Sequence, residues 1–296
     1  MIHRTEYAAD LLRQYRLTAG TEMYVEPHYD GTRVSYLQPV GGGQNLPPPD
    51  FGGEDVYRIL IGSGIVYNSD LNEGLVLTAS DFGTFGTPNT FGLRKNFVLG
   101  YGLKDSSRQQ ALGIIYNGVS GSTATYPGSE WTELWDIDVA NFNIIVGSYF
   151  SAPDYDYQGL IYNLQANSFQ TLNRPDQDTN GTYLTGIYNG IIIGGQAFGT
   201  ANSFFYNGAF NSLPSGFFPY GIWENTIVGS DGYIYKIGEG ITRQLVIPEL
   251  GRIDATGIYK NYVCGQKNSS PFSGFVYNLN TDEYVIKFGA RFWAIG

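Results

Sequence analysis

The sequence has 296 residues, with 17 Lys and Arg against 27 Asp and Glu, a net charge of -10, and only 15 % charged residues. Its 40 Gly, 24 Tyr, 18 Phe and 4 Trp make it too aromatic and too weakly charged for a disordered chain, and the glycines lack the every-third spacing of collagen. No apolar run reaches the ~18 residues of a membrane helix, so no membrane insertion is expected, and the acidic balance disfavours general nucleic-acid binding.

Residues 1–53 read as an N-terminal arm. The first residues lack a basic segment followed by an apolar run, and Glu6 and Asp10 are foreign to a transit peptide. Either the protein is not exported by that route, or a signal has been removed and the numbering restarted. Ala8, Leu11, Leu12 and Tyr15 share one face of a helix predicted over residues 6–16. Met23-Tyr24-Val25 and Arg33-Val34-Ser35-Tyr36-Leu37 predict a hairpin around Asp30-Gly31. Residues 41–53, with Pro47-Pro48-Pro49 between glycines, make a linker with a stiff centre. So short an arm has little core of its own; it either packs on the following domain or docks another subunit.

Residues 54–296 carry an internal repeat of about 40 residues. Unit one contains Ile59-Leu60-Ile61-Gly62 and then Gly64-Ile65-Val66-Tyr67-Asn68. Unit two has Phe97-Val98-Leu99-Gly100 and Gly113-Ile114-Ile115-Tyr116-Asn117, and unit three has Ile144-Ile145-Val146-Gly147 and Gly159-Leu160-Ile161-Tyr162-Asn163. Unit four reads Ile191-Ile192-Ile193-Gly194 and Ser203-Phe204-Phe205-Tyr206-Asn207. Unit five reads Thr226-Ile227-Val228-Gly229 and Gly232-Tyr233-Ile234-Tyr235-Lys236, and unit six Tyr262-Val263-Cys264-Gly265 and Gly274-Phe275-Val276-Tyr277-Asn278.

Ahead of the apolar triplet, Gly92-Leu93, Gly186-Ile187-Tyr188, Gly221-Ile222-Trp223 and Gly257-Ile258-Tyr259 mark a further strand. Asn96, Asn143, Asn189, Asn225 and Asn261 lie at the intervening turns, where Asn and Gly tolerate positive φ. A shorter signal, Trp131 to Leu134, Phe169 to Leu172 and Phe210 to Leu213, reads as a fourth strand.

Four strands in about 40 residues, repeated, predict an all-β fold, a β-propeller of four-stranded blades. Six blades are expected. Unit one has no first strand of its own, and the C-terminal segment from Ala290 to Ile295 is expected to supply it, closing the ring and removing exposed edges. A seventh blade built on the 23–37 hairpin is the alternative.

The paired motif, as in Gly257 to Gly265 followed by Gly274 to Asn278, resembles the HAF-type repeats of bacterial propeller-like proteins. The resemblance covers about residues 56–288. This chain has Gly-Phe, Gly-Leu or Gly-Ile where those repeats carry His-Ala-Phe. The resemblance implies a fold and no defined chemistry, so function is argued from a site.

Catalytic constellations are sparse. The two histidines, His3 and His28, lie in the arm, and no nucleophile motif marks a Ser-His-Asp site. Cys264, the single cysteine, excludes an internal disulfide and a cysteine-built zinc finger, and it occupies an apolar repeat position, so a buried structural thiol is expected. Propeller glycosidases use carboxylate pairs, for which Glu130, Glu133, Asp136, Asp138 and Glu224 are the candidates in or near strands. Asp176, Asp178 and Asn180, alternating before Gly181, resemble the start of a calcium loop, but Leu184 and Ile187 replace the later ligands; a polar turn competes with calcium binding there.

The four tryptophans fall at different repeat positions, which argues against one aromatic platform per blade, and the repeated tyrosine reads as structural. The loop aromatics Tyr101, Tyr149, Tyr155, Tyr157, Phe198 and Phe272 are the candidate recognition surface, since tyrosine offers large contact area at low entropic cost. The expectation is a non-enzymatic, oligomeric attachment component of a larger assembly, such as a virion tail, a capsid-associated protein or a cell-surface structure. In it the arm docks protein subunits and the blade loops recognise a partner. A carbohydrate-binding lectin for surface glycans and a glycoside hydrolase or lyase are the alternatives.

Overall fold

A computed structural model describes the backbone of residues 23–27, 34–39, 58–61 and 65–68, and residues 73–151, 156–175, 181–196, 202–267, 269, 272–288 and 291–296. The predicted helix over 6–16 and the linker lie outside the described residues. The hairpin forms as expected: Met23–Pro27 pairs antiparallel with Val34–Pro39 as a separate two-stranded sheet.

Among the described residues the repeat folds as six antiparallel four-stranded units, two of them joined in one eight-stranded sheet. Unit 1 orders Phe292–Ile295, Arg58–Ile61, Ile65–Asn68 and Glu73–Val76. The last strand of the chain therefore completes the first unit, as the leftover aromatic segment predicts. Unit 2 is Phe85–Arg94, Phe97–Leu103, Ala111–Tyr116 and Gly121–Ala124, and unit 3 is Trp131–Ile137, Ile144–Phe150, Gln158–Asn163 and Ser168–Thr171. Units 2 and 3 join through one parallel pairing, Trp131 with Ala111. Unit 4 is Thr182–Tyr188, Ile191–Gln196, Phe204–Tyr206 and Phe210–Ser212. Unit 5 is Pro219–Trp223, Thr226–Gly229, Tyr233–Lys236 and Gly240–Gln244, and unit 6 is Ile253–Tyr259, Tyr262–Lys267, Ser273–Asn278 and Tyr284–Phe288.

One strand assignment is corrected. Trp131 to Leu134 belongs to the first strand of unit 3, and the fourth strand of unit 2 is Gly121–Ala124. That strand is made of small residues with an exposed middle, so it carries no apolar signal.

The core sits between units. Each first strand touches those of the units before and after it, and Phe292–Ile295 meets both Ile253–Tyr259 and Phe85–Arg94. Six buried clusters follow the same cyclic order. Adjacent residues of one strand serve opposite interfaces: Ile192 packs with Val146 and Leu184 of one side, Ile193 with Ile222 and Ile227 of the other. This is why the second strands read as unbroken apolar triplets. Five of the repeated tyrosines, Tyr116, Tyr162, Tyr206, Tyr235 and Tyr277, pack in the same clusters, with Tyr162 and Tyr277 buried.

The recurring glycine after each triplet has a specific cause. Every first strand carries a β-bulge, at Phe91, Trp135, Thr185, Tyr220, Thr256 and Trp293. The bulge drives a first-strand carbonyl onto the second strand. A Cβ at Gly100, Gly147, Gly194, Gly229 or Gly265 would lie 1.9–2.2 Å from the carbonyl oxygen of Asn89, Glu133, Tyr183, Phe218 or Asp254. No side chain fits at that distance.

At the turn after the first strand, positive φ falls on Lys95 (49°), Asn189 (47°), Glu224 (54°) and Lys260 (52°). In three units the left-handed residue therefore precedes the recurring asparagine.

Candidate functional site: an aromatic mouth on the axis

The six bulged residues line one cavity, together with Gly92, Arg94, Asp136 and neighbours from the same first strands. Its volume is about 30 Å³, room for a water molecule or two. A bulge re-aims its residue, and here each unit turns one side chain toward the shared axis. Trp135 and Trp293 are thus equivalent residues of units 3 and 1, which corrects their assignment to different repeat positions.

Arg94 and Asp136 form an ion pair in the wall of this cavity, each side chain less than a tenth exposed. The pair is bidentate, Nε–H to Oδ1 and Nη2–H to Oδ2, both 3.1 Å. Arg94 also donates to the carbonyls of Ile258 (2.9 Å) and Ile222 (2.8 Å), while Asp136 accepts the Ile187 N–H at 3.1 Å. Five of the six first strands are thereby tied through one ion pair. Asp136 stands where units 2, 4, 5 and 6 have the glycines 92, 186, 221 and 257.

Next to this cavity, which Phe91 and Trp135 line, the starts of first strands and the ends of second strands hold an aromatic assembly. Seven rings make a closed circuit of contacts, in the order Tyr101, Trp131, Phe150, Tyr157, Tyr183, Trp135, Phe91 and back to Tyr101. Neighbouring centroids are 4.2–5.7 Å apart, with Trp135 stacked on Phe91 at the shortest spacing. Every member is half-buried. The rings come from units 2, 3 and 4, so no single repeat contains the site.

Glu133 is the polar centre of this circuit and is only 5 % exposed. Trp131 Nε1–H donates to its Oε1 at 2.6 Å, Trp135 Nε1–H to its Oε2 at 3.2 Å, and the Tyr183 hydroxyl also donates to Oε2. Burial pushes the Glu133 carboxyl above the usual carboxylate range, opposed by those three hydrogen bonds. Burial also raises the Tyr101, Tyr157 and Tyr183 hydroxyls, and the nearby Glu133 charge adds to each shift. On the far side of the axis burial pushes Tyr220 up to about 12, with Asp254 and Asp231 contributing.

Of the expected binding aromatics, the structure brings Tyr101 and Tyr157 together here. Tyr149 is elsewhere, stacked on Tyr126 at 3.6 Å with its hydroxyl on Thr171. Phe272 lies 3.5 Å beneath the Arg291 guanidinium. Tyr155 and Phe198, and the calcium candidates Asp176, Asp178 and Asn180, lie outside the described residues. Among the described residues no group of three or more metal-ligating side chains converges. Cys264 is fully buried, and burial pushes its thiol up to about 12, as expected of a structural cysteine.

Two of the carboxylates named for hydrolysis have other occupations. Asp136 holds Arg94, and Asp138 accepts the Asn189 (2.6 Å) and Gly190 (2.9 Å) amides of the next unit's turn. Residues missed as site members are Phe91, Trp131, Trp135, Phe150 and Tyr183, with Glu133 considered only as a hydrolytic carboxylate. One signal was available: Trp131 and Glu133 alternate along a strand ahead of the bulge at Trp135, which sets those two on one face.

No family model matches the sequence, and no curated protein is significantly similar to it. Among solved structures, the chain is similar over 94 % of its length to 88 % of the computationally designed Ika8 protein, at 18 % identity and a TM-score of 0.43. It is similar over 94 % of its length to 43 % of a chain from a study of two prolyl endopeptidases, at 9 % identity and a TM-score of 0.46. It is also similar over 81 % of its length to 74 % of the dihydro-heme d1 dehydrogenase NirN in complex with DHE, at 9 % identity and a TM-score of 0.36.

Proposed function

We propose that this chain is a six-bladed β-propeller, closed by its C-terminal strand, that serves as a non-enzymatic recognition and attachment module. The observation carrying this reading is the closed circuit of seven aromatic rings around Glu133. Half-buried rings from three consecutive units present a large, rigid contact area on a scaffold whose core is already complete between the units. Large amphipathic rings with few rotatable bonds are the side chains that binding surfaces favour. The occupied Asp136 and Asp138 support binding over carboxylate-based hydrolysis, which needs two carboxyl groups flanking the scissile bond. The arm of residues 1–53 serves, in this reading, to dock the propeller in a larger assembly.

The test is ligand-detected NMR with a panel of sugars, organic cations and neutral alcohols on the full chain and on Tyr157→Ala. A ligand bound by the natural chain and lost in the variant, with the unfolding midpoint kept within a few degrees, is the expected result. Ligands that bind both proteins equally, or no ligand at all, would refute the aromatic mouth as the recognition site.

A further inference from the structure

We propose that the aromatic mouth is a receptor for a small organic cation bearing a quaternary trimethylammonium group. This rests on the recognition reading above and names its ligand class. Aromatic faces carry negative potential and attract cations, and a quaternary, fully methylated ammonium has no N–H bonds that burial would leave unmade. Seven half-buried rings stand in one circuit of contacts, and two of them, Phe91 and Trp135, also line the cavity.

The charge at the centre fixes the sign. Both oxygens of Glu133 face indole N–H groups, which can only donate, so the site is built around a carboxylate acceptor. Among the described residues Glu133 has no cationic partner. Below it Arg94 is neutralised by Asp136, so the axis offers Glu133 no net counter-charge. A buried carboxylate without a counter-ion is costly, and an incoming cation relieves that cost.

The hydrogen-bonding inventory separates a cation from a sugar. The indole N–H groups of Trp131 and Trp135 and the Tyr183 hydroxyl are spent on Glu133. A polyhydroxylated ligand would find those donors taken, whereas a methylated ammonium needs only ring faces and negative charge.

The experiment titrates the full chain with choline chloride, with its uncharged isostere 3,3-dimethylbutan-1-ol, and with methyl β-D-glucoside, by calorimetry and tryptophan fluorescence. Choline is expected to bind in the millimolar range or tighter and at least about tenfold more tightly than the alcohol. Glu133→Gln, checked for folding by circular dichroism, is expected to erase that preference. An acetylated trimethyllysine amide in parallel distinguishes a free small cation from a methylated lysine side chain, the tighter ligand naming the source. Equal binding of choline and the alcohol overturns the cation inference but leaves the aromatic mouth as a recognition site, and so does binding of the glucoside alone. Should the variant fail to fold, the choline-to-alcohol comparison on the natural chain decides.

Discussion

Arg94 and Asp136, 42 positions apart, meet in a bidentate ion pair on the axis, and between them they bond to the first strands of units 4, 5 and 6. Breaking a buried pair by removing one member leaves an uncompensated charge, at a cost of roughly 3–5 kcal/mol. Arg94→Met and Asp136→Leu are each expected to destabilise the protein by that amount in urea unfolding. The double variant is expected to recover much of the loss. Strictly additive single effects would show that the pair does not act as a unit.

The glycine that follows each apolar triplet is set by the bulge opposite it. In Gly147→Ala the new methyl would sit 2.0 Å from the Glu133 carbonyl oxygen, a contact that only strand separation relieves. Forcing atoms into a packed interior costs about 1–3 kcal/mol, and more where backbone must move. A lowered urea midpoint with weaker quenching of Trp131 and Trp135 is expected, because the same shift displaces Glu133. Unchanged stability would contradict the close approach.

The C-terminal strand Phe292–Ile295 completes the sheet of the first unit. Ile295 is buried in the cluster shared with Tyr262 and Cys264. Ile295→Ala is expected to cost about 2–5 kcal/mol, as large-to-small core changes do. Deleting residues 292–296 removes the pairing to Arg58–Ile61 and is expected to abolish cooperative unfolding. A truncated chain with the parent's thermal midpoint would refute the closure.

Glu133 gives a pH signature with a defined sign. Burial raises its pKa, so the folded state holds the proton more tightly than the unfolded chain, whose value is about 4.3. Its contribution to stability is fully present below that value and is lost as pH rises through the folded pKa. The stability difference between the natural chain and Glu133→Gln is therefore expected to shrink from acid toward neutral pH. Because Trp131 and Trp135 donate to this carboxyl, their fluorescence should change with an apparent midpoint above the ordinary carboxylate value. A midpoint at or below that value would reverse the assignment.

The all-β architecture was legible because each unit repeats the same local physics. Ile192 and Ile193 are both apolar because the two faces of their strand meet different neighbours, and that requirement is written in consecutive residues. The unpaired aromatic segment at the C-terminus likewise announced its partner, since unit one lacked a first strand. Gly121–Ala124 escaped because a mostly exposed strand of small residues leaves no periodic trace.

The composition by itself determined a glycine- and aromatic-rich β-protein, and the repeat determined where most of those residues stand. Only the tertiary structure decided which aromatics meet. Tyr101, Trp131 and Tyr183 belong to three units and touch or surround one carboxylate because the units gather their first strands on a common axis. The bulges that aim Phe91 and Trp135 at that axis depend on pairing between strands, a relation that spacing along one chain does not encode. Arg94 and Asp136 are, for the same reason, unremarkable in sequence and joined in space: each was one charge in a strand until the packing of first strands brought them face to face.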